Sequence, residues 1–67
     1  MFILSQNREM LTELRKVYAI GDKVIVNDDT FSRYHTSEQA DRVIEDIAVC
    51  LEKGNPLYRM PDWGVEI

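Results

Sequence analysis

The sequence has only one cysteine and one histidine, which removes the usual ways of fixing a small domain covalently or with a metal. Cys50 has no partner for an internal disulfide, and with His35 it supplies too few ligands for a structural zinc site. Cys50 borders an apolar helical stripe, where a small core residue is the ordinary interpretation. His35 stands where a strand gives way to a helix, a place for a solvated or capping side chain. We therefore expect no catalytic residues, no metal and no cofactor, and we predict that the protein is not an enzyme.

Glycine and proline are also scarce, with three and two residues. The glycines, Gly21, Gly54 and Gly64, stand alone, so the sequence contains no phosphate-binding loop. The acidic run at residues 27–30 lacks the central glycine of a calcium loop and is interpreted as a turn. Long apolar runs are missing, which argues against a membrane span, and the apolar start at residues 1–4 is too short for a secretory signal. One unpaired cysteine fits a reducing compartment, and we expect a cytoplasmic protein that does not enter a membrane.

Basic charge is in the minority, because eight lysines and arginines stand against twelve acidic residues, for a net charge of −4. The basic residues are scattered, whereas binding along a nucleic-acid backbone favours a basic face. Aromatic residues do lie beside basic ones at residues 31–34 and 58–59, and such residues can stack on bases when a sheet presents them. A nucleic-acid-binding regulator is therefore an alternative that the charge disfavours.

The composition is typical of a globular protein, with 45% hydrophobic and 30% charged residues. A length of 67 residues predicts a single domain, residues 1–67. Apolar and β-branched segments bounded by turn residues predict strands at 2–5, 10–13, 17–20, 23–27 and 31–35. Residues 9–18 also place apolar side chains at roughly helical spacing, so a helix there is the alternative. The short turns between the segments predict an antiparallel meander.

The clearest element is a helix that begins after Thr36 and ends before Gly54. Thr36 and Gln39 have the spacing of a capping box, and Gly54 followed by Pro56 marks the C-terminus. Val49 projects onto the polar face, either as an ordinary exposed valine or as the centre of a helix-mediated contact. We expect one apolar stripe to form the core face of the helix: Ala40, Val43, Ile44, Ile47 and Leu51.

The C-terminal tail has two prolines that keep it extended, but it also carries much apolar area. We expect residues 57–60 to dock on the sheet or on a second subunit. Trp63 is a candidate partner anchor, because tryptophan is enriched at interaction hot spots. With Val49, the large apolar side chains of the tail make up the predicted interface: Leu57, Tyr58, Met60, Trp63 and Val49.

A chain of this size without a disulfide or a metal can build only one thin core. Small domains often add a partner subunit instead, so we predict a homodimer as well as an unidentified protein partner. The tail is the first choice of dimer interface because a symmetric dimer covers its apolar side chains on both subunits. An open sheet edge is the second choice, since an unpaired edge invites a partner strand.

Four short motifs resemble a group of small uncharacterised proteins of Gram-positive bacteria and their phages, over residues 1 to about 62. These motifs are the start at residues 1–6, the run from Tyr34 to Ala40 that resembles the pattern Y-x-T-x-E-x-A, the Gly-Asn that ends the helix, and residues 58–62. Gln39 stands where the family often has an acidic residue. The resemblance implies a small α+β fold and a bacterial or phage context, and it implies no activity and no site residues.

The residues and the resemblance together predict an α+β fold with a short antiparallel β-meander of three to five strands, one α-helix packed on one face and an extended C-terminal tail. The predicted function is that of a small acidic accessory protein that acts by protein–protein binding without catalysis. A phage context would suit an inhibitor of a host factor.

Overall fold

Residues 1–66, which the computed structural model describes, form six short strands and one helix. In chain order these elements are β1 (Phe2–Leu4), β2 (Leu11–Glu13), β3 (Val17–Ile20), β4 (Lys23–Val26), β5 (Asp29–Arg33), α1 (Ser37–Glu52) and β6 (Leu57–Arg59). The predicted α+β class is confirmed. Residues 9–18 contain strands rather than a helix, as favoured, and the antiparallel meander of β3, β4 and β5 lies within the predicted three to five strands.

The strands of residues 1–66 form two three-stranded sheets instead of one meander. The second sheet, in the order β3-β4-β5, is the expected antiparallel meander. The first sheet has the order β2-β1-β6, with β1 antiparallel to β2 and parallel to β6. Residues 57–59 return after the helix and pair with the start of the chain, so β1 and β2 lie in a separate sheet from the meander. Docking of this segment on the sheet is one of the two outcomes expected for it.

The turn between β4 and β5 closes through two residues with left-handed backbone conformations. Asn27 has φ 50° and Asp28 has φ 74°, which is the requirement of a two-residue type I′ turn, and asparagine and aspartate tolerate it better than most residues. The backbone therefore places the turn at residues 27–28, whereas Asp29 and Thr30 already belong to β5, so the turn predicted at 27–30 is confirmed only in its first half.

Gln6 joins the two sheets just beyond the end of β1. Its backbone N–H donates to the carbonyl oxygen of Phe31 at 2.8 Å. Its side-chain amide pairs with the backbone of Arg33, accepting from the N–H at 2.9 Å and donating to the carbonyl oxygen at 3.2 Å. Gln6 is buried, so these bonds satisfy polar groups that would otherwise be costly to bury.

Asn27 makes an equivalent junction at the loop between β2 and β3. Its side-chain oxygen accepts from the backbone N–H groups of Arg15 and Lys16 at 2.9 and 3.0 Å. Its side-chain nitrogen donates to the carbonyl oxygen of Glu13 at 2.7 Å. The amide thus fixes the loop that connects one sheet to the other.

The helix has the caps that the sequence predicts. The side-chain oxygen of Thr36 accepts from the backbone N–H of Gln39 at 3.2 Å, and the Gln39 side chain accepts from the Thr36 N–H at 3.3 Å. At the other end Gly54 has φ 71°. The N–H groups of Gly54 and Asn55 donate to the carbonyls of Leu51 and Cys50, both at 3.1 Å, which is the Schellman arrangement.

The predicted apolar stripe packs in the core over its first three turns and is exposed at its C-terminal end. Ala40, Val43 and Ile47 are buried, and Ile44 is partly buried against the core. Leu51 is 50% exposed, so its assignment to the core is corrected. It lies in the last turn of α1, one residue before the helix ends at Glu52. The same core takes side chains from both sheets, including Ile3, Val24 and Phe31.

The helix stripe provides a matched pair of substitutions. Ile47 is 1% exposed and Leu51 is 50% exposed, although both lie on the same stripe. We expect Ile47→Ala to lower the free energy of unfolding by about 2–5 kcal/mol because it leaves a cavity. Leu51→Ala should cost well under half as much. Urea unfolding followed by circular dichroism measures both, and equal losses would contradict the burial described here.

The amide junction can be tested with Gln6→Met, which keeps the length and apolar volume of the side chain but removes both hydrogen bonds to Arg33. The backbone N–H of Arg33 then loses its partner, and we expect the free energy of unfolding to fall by about 1–3 kcal/mol. Glu9→Met, at an exposed position of the same turn, is the control and should change it little. A Gln6→Met protein as stable as the control would show that the hydrogen bonds of Gln6 to Arg33 do not contribute to the free energy of unfolding.

Candidate interaction surfaces

Two of the five predicted interface residues belong to the interior of the single chain. Tyr58 and Met60 are buried members of the core, and the Met60 sulfur lies 3.7 Å from the hydroxyl of buried Ser32. Their assignment to an interface is corrected, because Tyr58 in β6 and Met60 just after it pack among the core residues. Removal of the tail after Asn55 would therefore damage the fold itself, whether or not the protein dimerises.

The other three predicted residues reach the surface at separate places. Val49 is exposed and stands on the polar side of α1. Leu57 is partly buried on the side of the first sheet that faces away from the helix. Trp63 is 52% exposed beside the N-terminal half of α1. The structure does not bring the predicted interface together as one patch.

The tail around Trp63 is held in place by several contacts with the rest of the chain. The ring of Trp63 lies on that of Tyr34, with centroids 4.9 Å apart and planes inclined by 45°. The Tyr34 hydroxyl donates to the carbonyl oxygen of Pro61 at 3.1 Å. Arg8 donates to the carbonyl oxygen of Met60 at 2.9 Å, and its guanidinium lies 3.9 Å from the Asp62 carboxylate.

Gly64 shows how closely the tail approaches the second sheet. A Cβ atom at Gly64 would overlap the carbonyl oxygen of Arg33 and the side chains of Gln6 and Tyr34, so only glycine fits. One residue later, the N–H of Val65 donates to the same Arg33 carbonyl at 2.8 Å. Trp63 is therefore fixed from both sides, although half of its surface faces water.

An open groove runs between Trp63 and the helix. On the helix side it is lined by Glu38, Gln39, Arg42 and Asp46, and Arg42 and Asp46 lie 3.9 Å apart as an i, i+4 ion pair. This groove combines one large aromatic surface with two acidic side chains, one amide and one guanidinium. We call it the Trp63 groove.

The acidic charge of the protein is concentrated beside this groove. Helix α1 has five acidic residues and one basic residue, a net charge of −4, and the remainder of the chain has seven of each sign. The whole net charge of −4 is thus located on α1. Because the core face of the helix is apolar, these charges lie along its outward side.

A second surface escaped the sequence-based prediction. Side chains alternate across a strand, so while Ile3 points into the core, Phe2 and Leu4 point outward from the first sheet. The register of the three strands completes this outer face, which consists of Phe2, Leu4, Leu11, Glu13, Leu57 and Arg59. Residues 2–4 are all apolar, so the sequence does not indicate which of them point outward, and the pairing of β1 with β6 was not predicted.

The residues considered for catalysis lie far apart. His35 precedes the helix and is exposed, whereas Cys50 lies in the last turns of the helix and packs partly against the core. Cys50 lies thirteen positions after Ser37 in the helix, which at 1.5 Å per residue is a rise of roughly 20 Å along the helix axis. Within residues 1–66 no group of three histidine, cysteine or acidic side chains is placed to hold a metal ion.

The aromatic residues considered for base stacking are not available for it. Phe31 and Tyr34 are both buried in the core, as is Tyr58. They therefore cannot present their rings to a nucleic acid, and the observation that favoured this alternative loses its support.

Comparison of the chain with protein-family models, with curated proteins and with solved structures found no match. The resemblance to small proteins of Gram-positive bacteria and their phages stays a prediction. In the described part of the chain, no helix has the length and apolar character needed to cross a membrane.

Burial of two tyrosines predicts sensitivity to alkaline pH. Loss of solvation raises the pKa of the Tyr58 hydroxyl far above its usual value, and the nearby Asp46 carboxylate adds to this effect. Burial likewise raises the pKa of the Tyr34 hydroxyl. Because the folded-state pKa of each group exceeds the unfolded value of about 10, its contribution to stability is complete below pH 10 and is lost as the pH rises above it.

Tyr58→Phe keeps the ring but removes one of these groups. We expect the variant to lose less stability than the unmodified protein between about pH 10 and 12, by up to roughly 1.4 kcal/mol per pH unit. Thermal unfolding across this range measures the difference. Tyr18→Phe, which removes an exposed hydroxyl, is the control. Identical alkaline profiles for Tyr58→Phe and the unmodified protein would contradict the buried position of Tyr58.

Proposed function

We propose that this protein is a small acidic accessory protein that acts by binding another protein, without catalysis, and that the Trp63 groove receives the partner. The observation that carries the proposal is a tryptophan that is half exposed and yet held against Tyr34 by a tail whose backbone is hydrogen-bonded on both sides of it. An immobile aromatic side chain loses little conformational entropy on binding, and tryptophan is enriched among the residues that dominate interface energies.

The charge around the groove indicates the chemistry of the partner. Glu38 and Asp46 line the groove, and they belong to the helix that carries the net charge of the chain. Opposite charge speeds association and selects partners. We therefore propose a partner segment with lysine or arginine residues around an apolar side chain that packs on Trp63.

The wider setting is part of the same proposal. We propose that the protein works in the cytoplasm, associates with itself as a homodimer, and belongs to a bacterial or phage context. The most specific version of this proposal is that the protein is a phage-encoded inhibitor of a host factor. Small size, acidic charge and the resemblance of its short motifs support this form.

The test is affinity capture from a lysate of a Gram-positive bacterium, with the amount of each bound protein compared between variants. Trp63→Ser should release the partner, and Glu38→Lys should weaken binding by reversing the charge at the groove. Ile20→Ser is the control, because Ile20 is an apolar residue on the second sheet that is 60% exposed, against 52% for Trp63. We expect the control to retain the partner at the level of the unmodified protein.

Binding of the captured protein should then be reproduced with purified components by titration calorimetry. A partner that binds the Trp63→Ser and unmodified proteins with equal affinity would contradict the proposed groove. Capture that disappears after nuclease treatment would favour the nucleic-acid alternative instead.

A further inference from the structure

The outer face of the first sheet has an ordered arrangement of apolar and charged side chains. Across strands β2, β1 and β6, one row consists of Glu13, Phe2 and Leu57, and the next row consists of Leu11, Leu4 and Arg59. The four apolar residues therefore form a diagonal band. Opposite charges occupy the two remaining corners.

This face is unusual for a surface in water. Phe2 is 45% exposed and Leu11 is 60% exposed, whereas the solvated side of an antiparallel pair is normally polar. Glu13 and Arg59 stand on strands separated by β1, and neither takes part in the ion pairs found within residues 1–66. An apolar band between two charges without a partner is typical of an interaction site.

We infer that the outer face of the first sheet binds the same face of a second copy of this chain. A two-fold axis along the apolar band turns the face onto itself. Glu13 of each copy then lies over Arg59 of the other copy, which gives two equivalent ion pairs. The two Leu11 side chains meet near the axis.

The strands of the two copies would cross near a right angle, which is one of the two arrangements that face-to-face sheets adopt. In the aligned arrangement the charges would instead lie over apolar side chains of the other copy. The charge pattern therefore selects the orthogonal arrangement and a second copy as the occupant. The basic partner proposed for the Trp63 groove would not be attracted electrostatically to this face, because the charges of Glu13 and Arg59 cancel.

The expected affinity follows from the size of the face. Six side chains on each copy bury less than the roughly 1,200 Å² that marks the lower end of stable interfaces. The core of each chain is closed without the partner, since Tyr58 and Met60 are already covered. We therefore expect a dimer that dissociates at micromolar concentration into folded monomers.

Sedimentation equilibrium of the intact protein from about 5 µM to 1 mM tests this inference. The average mass should rise from that of a monomer to that of a dimer. Leu11→Glu places two carboxylates near the axis and should raise the dissociation constant at least tenfold. Ile20→Glu is the matched control: it has the same exposure, also lies on an edge strand and receives the same charge. It should dimerise as the unmodified protein does.

A charge exchange keeps the test decisive even if Leu11→Glu fails to fold. Glu13→Arg and Arg59→Glu each place like charges opposite one another in a homodimer, so each alone should be mostly monomeric. An equimolar mixture should form a heterodimer, because both ion pairs are then restored, one with its original charges and the other with its charges reversed. Glu9→Arg, which makes the same charge change in an exposed turn, should leave the dimer intact.

Several results would overturn the inference. A monomer mass at 1 mM would do so, as would equal losses in Leu11→Glu and Ile20→Glu. A mixture of the two charge variants that stays monomeric would exclude the orthogonal arrangement. Loss of a captured protein in Leu11→Glu, with the unmodified chain monomeric, would assign this face to a different partner. A negative result in these dimer experiments does not bear on the proposal for the Trp63 groove. Trp63→Ser is expected to change partner capture and to leave the mass measured by sedimentation unchanged.

Discussion

The fold depends on two side-chain amides that join sheets too small to stand alone. Each sheet has three strands of three to five residues, and such sheets need packing against another element for stability. Gln6 bonds the end of β1 to β5, and Asn27 bonds the β4–β5 turn to the loop between β2 and β3. Through these bonds the two sheets enclose one core with the helix, and each surface described above keeps its shape.

The tail contributes both to the core and to a surface. Tyr58 and Met60 fill the core, whereas Trp63, a few residues later, remains half exposed. Arg8 connects these roles, because it holds the Met60 carbonyl and lies near Asp62. The partner groove is thus built on the same contacts that close the fold, and binding at Trp63 requires no ordering of a loose segment.

Local interactions explain which parts of the structure could be predicted. The Thr36 cap, the end of α1 at Gly54 and the hairpins of the second sheet depend on neighbours in sequence, and they were predicted close to their observed positions. The pairing of β1 with β6 joins residues 55 apart, and no short-range pattern encodes it. Tyr58 was therefore assigned to an interface. Leu51 fits the helical period, but only the extent of the sheets decides where burial ends.

The position of β6 has a consequence for how the chain folds. The hairpins of the second sheet join neighbouring segments, whose loops close quickly and at small entropic cost. The first sheet cannot be completed until residues 57–59 reach β1, after the whole helix has been made. During synthesis helix α1 can pack on β3 and β4 as soon as it is made, whereas Ile3 and the free edge of β1 wait for the last strand. A chain interrupted before β6 would display that open edge, which favours aggregation and proteolysis.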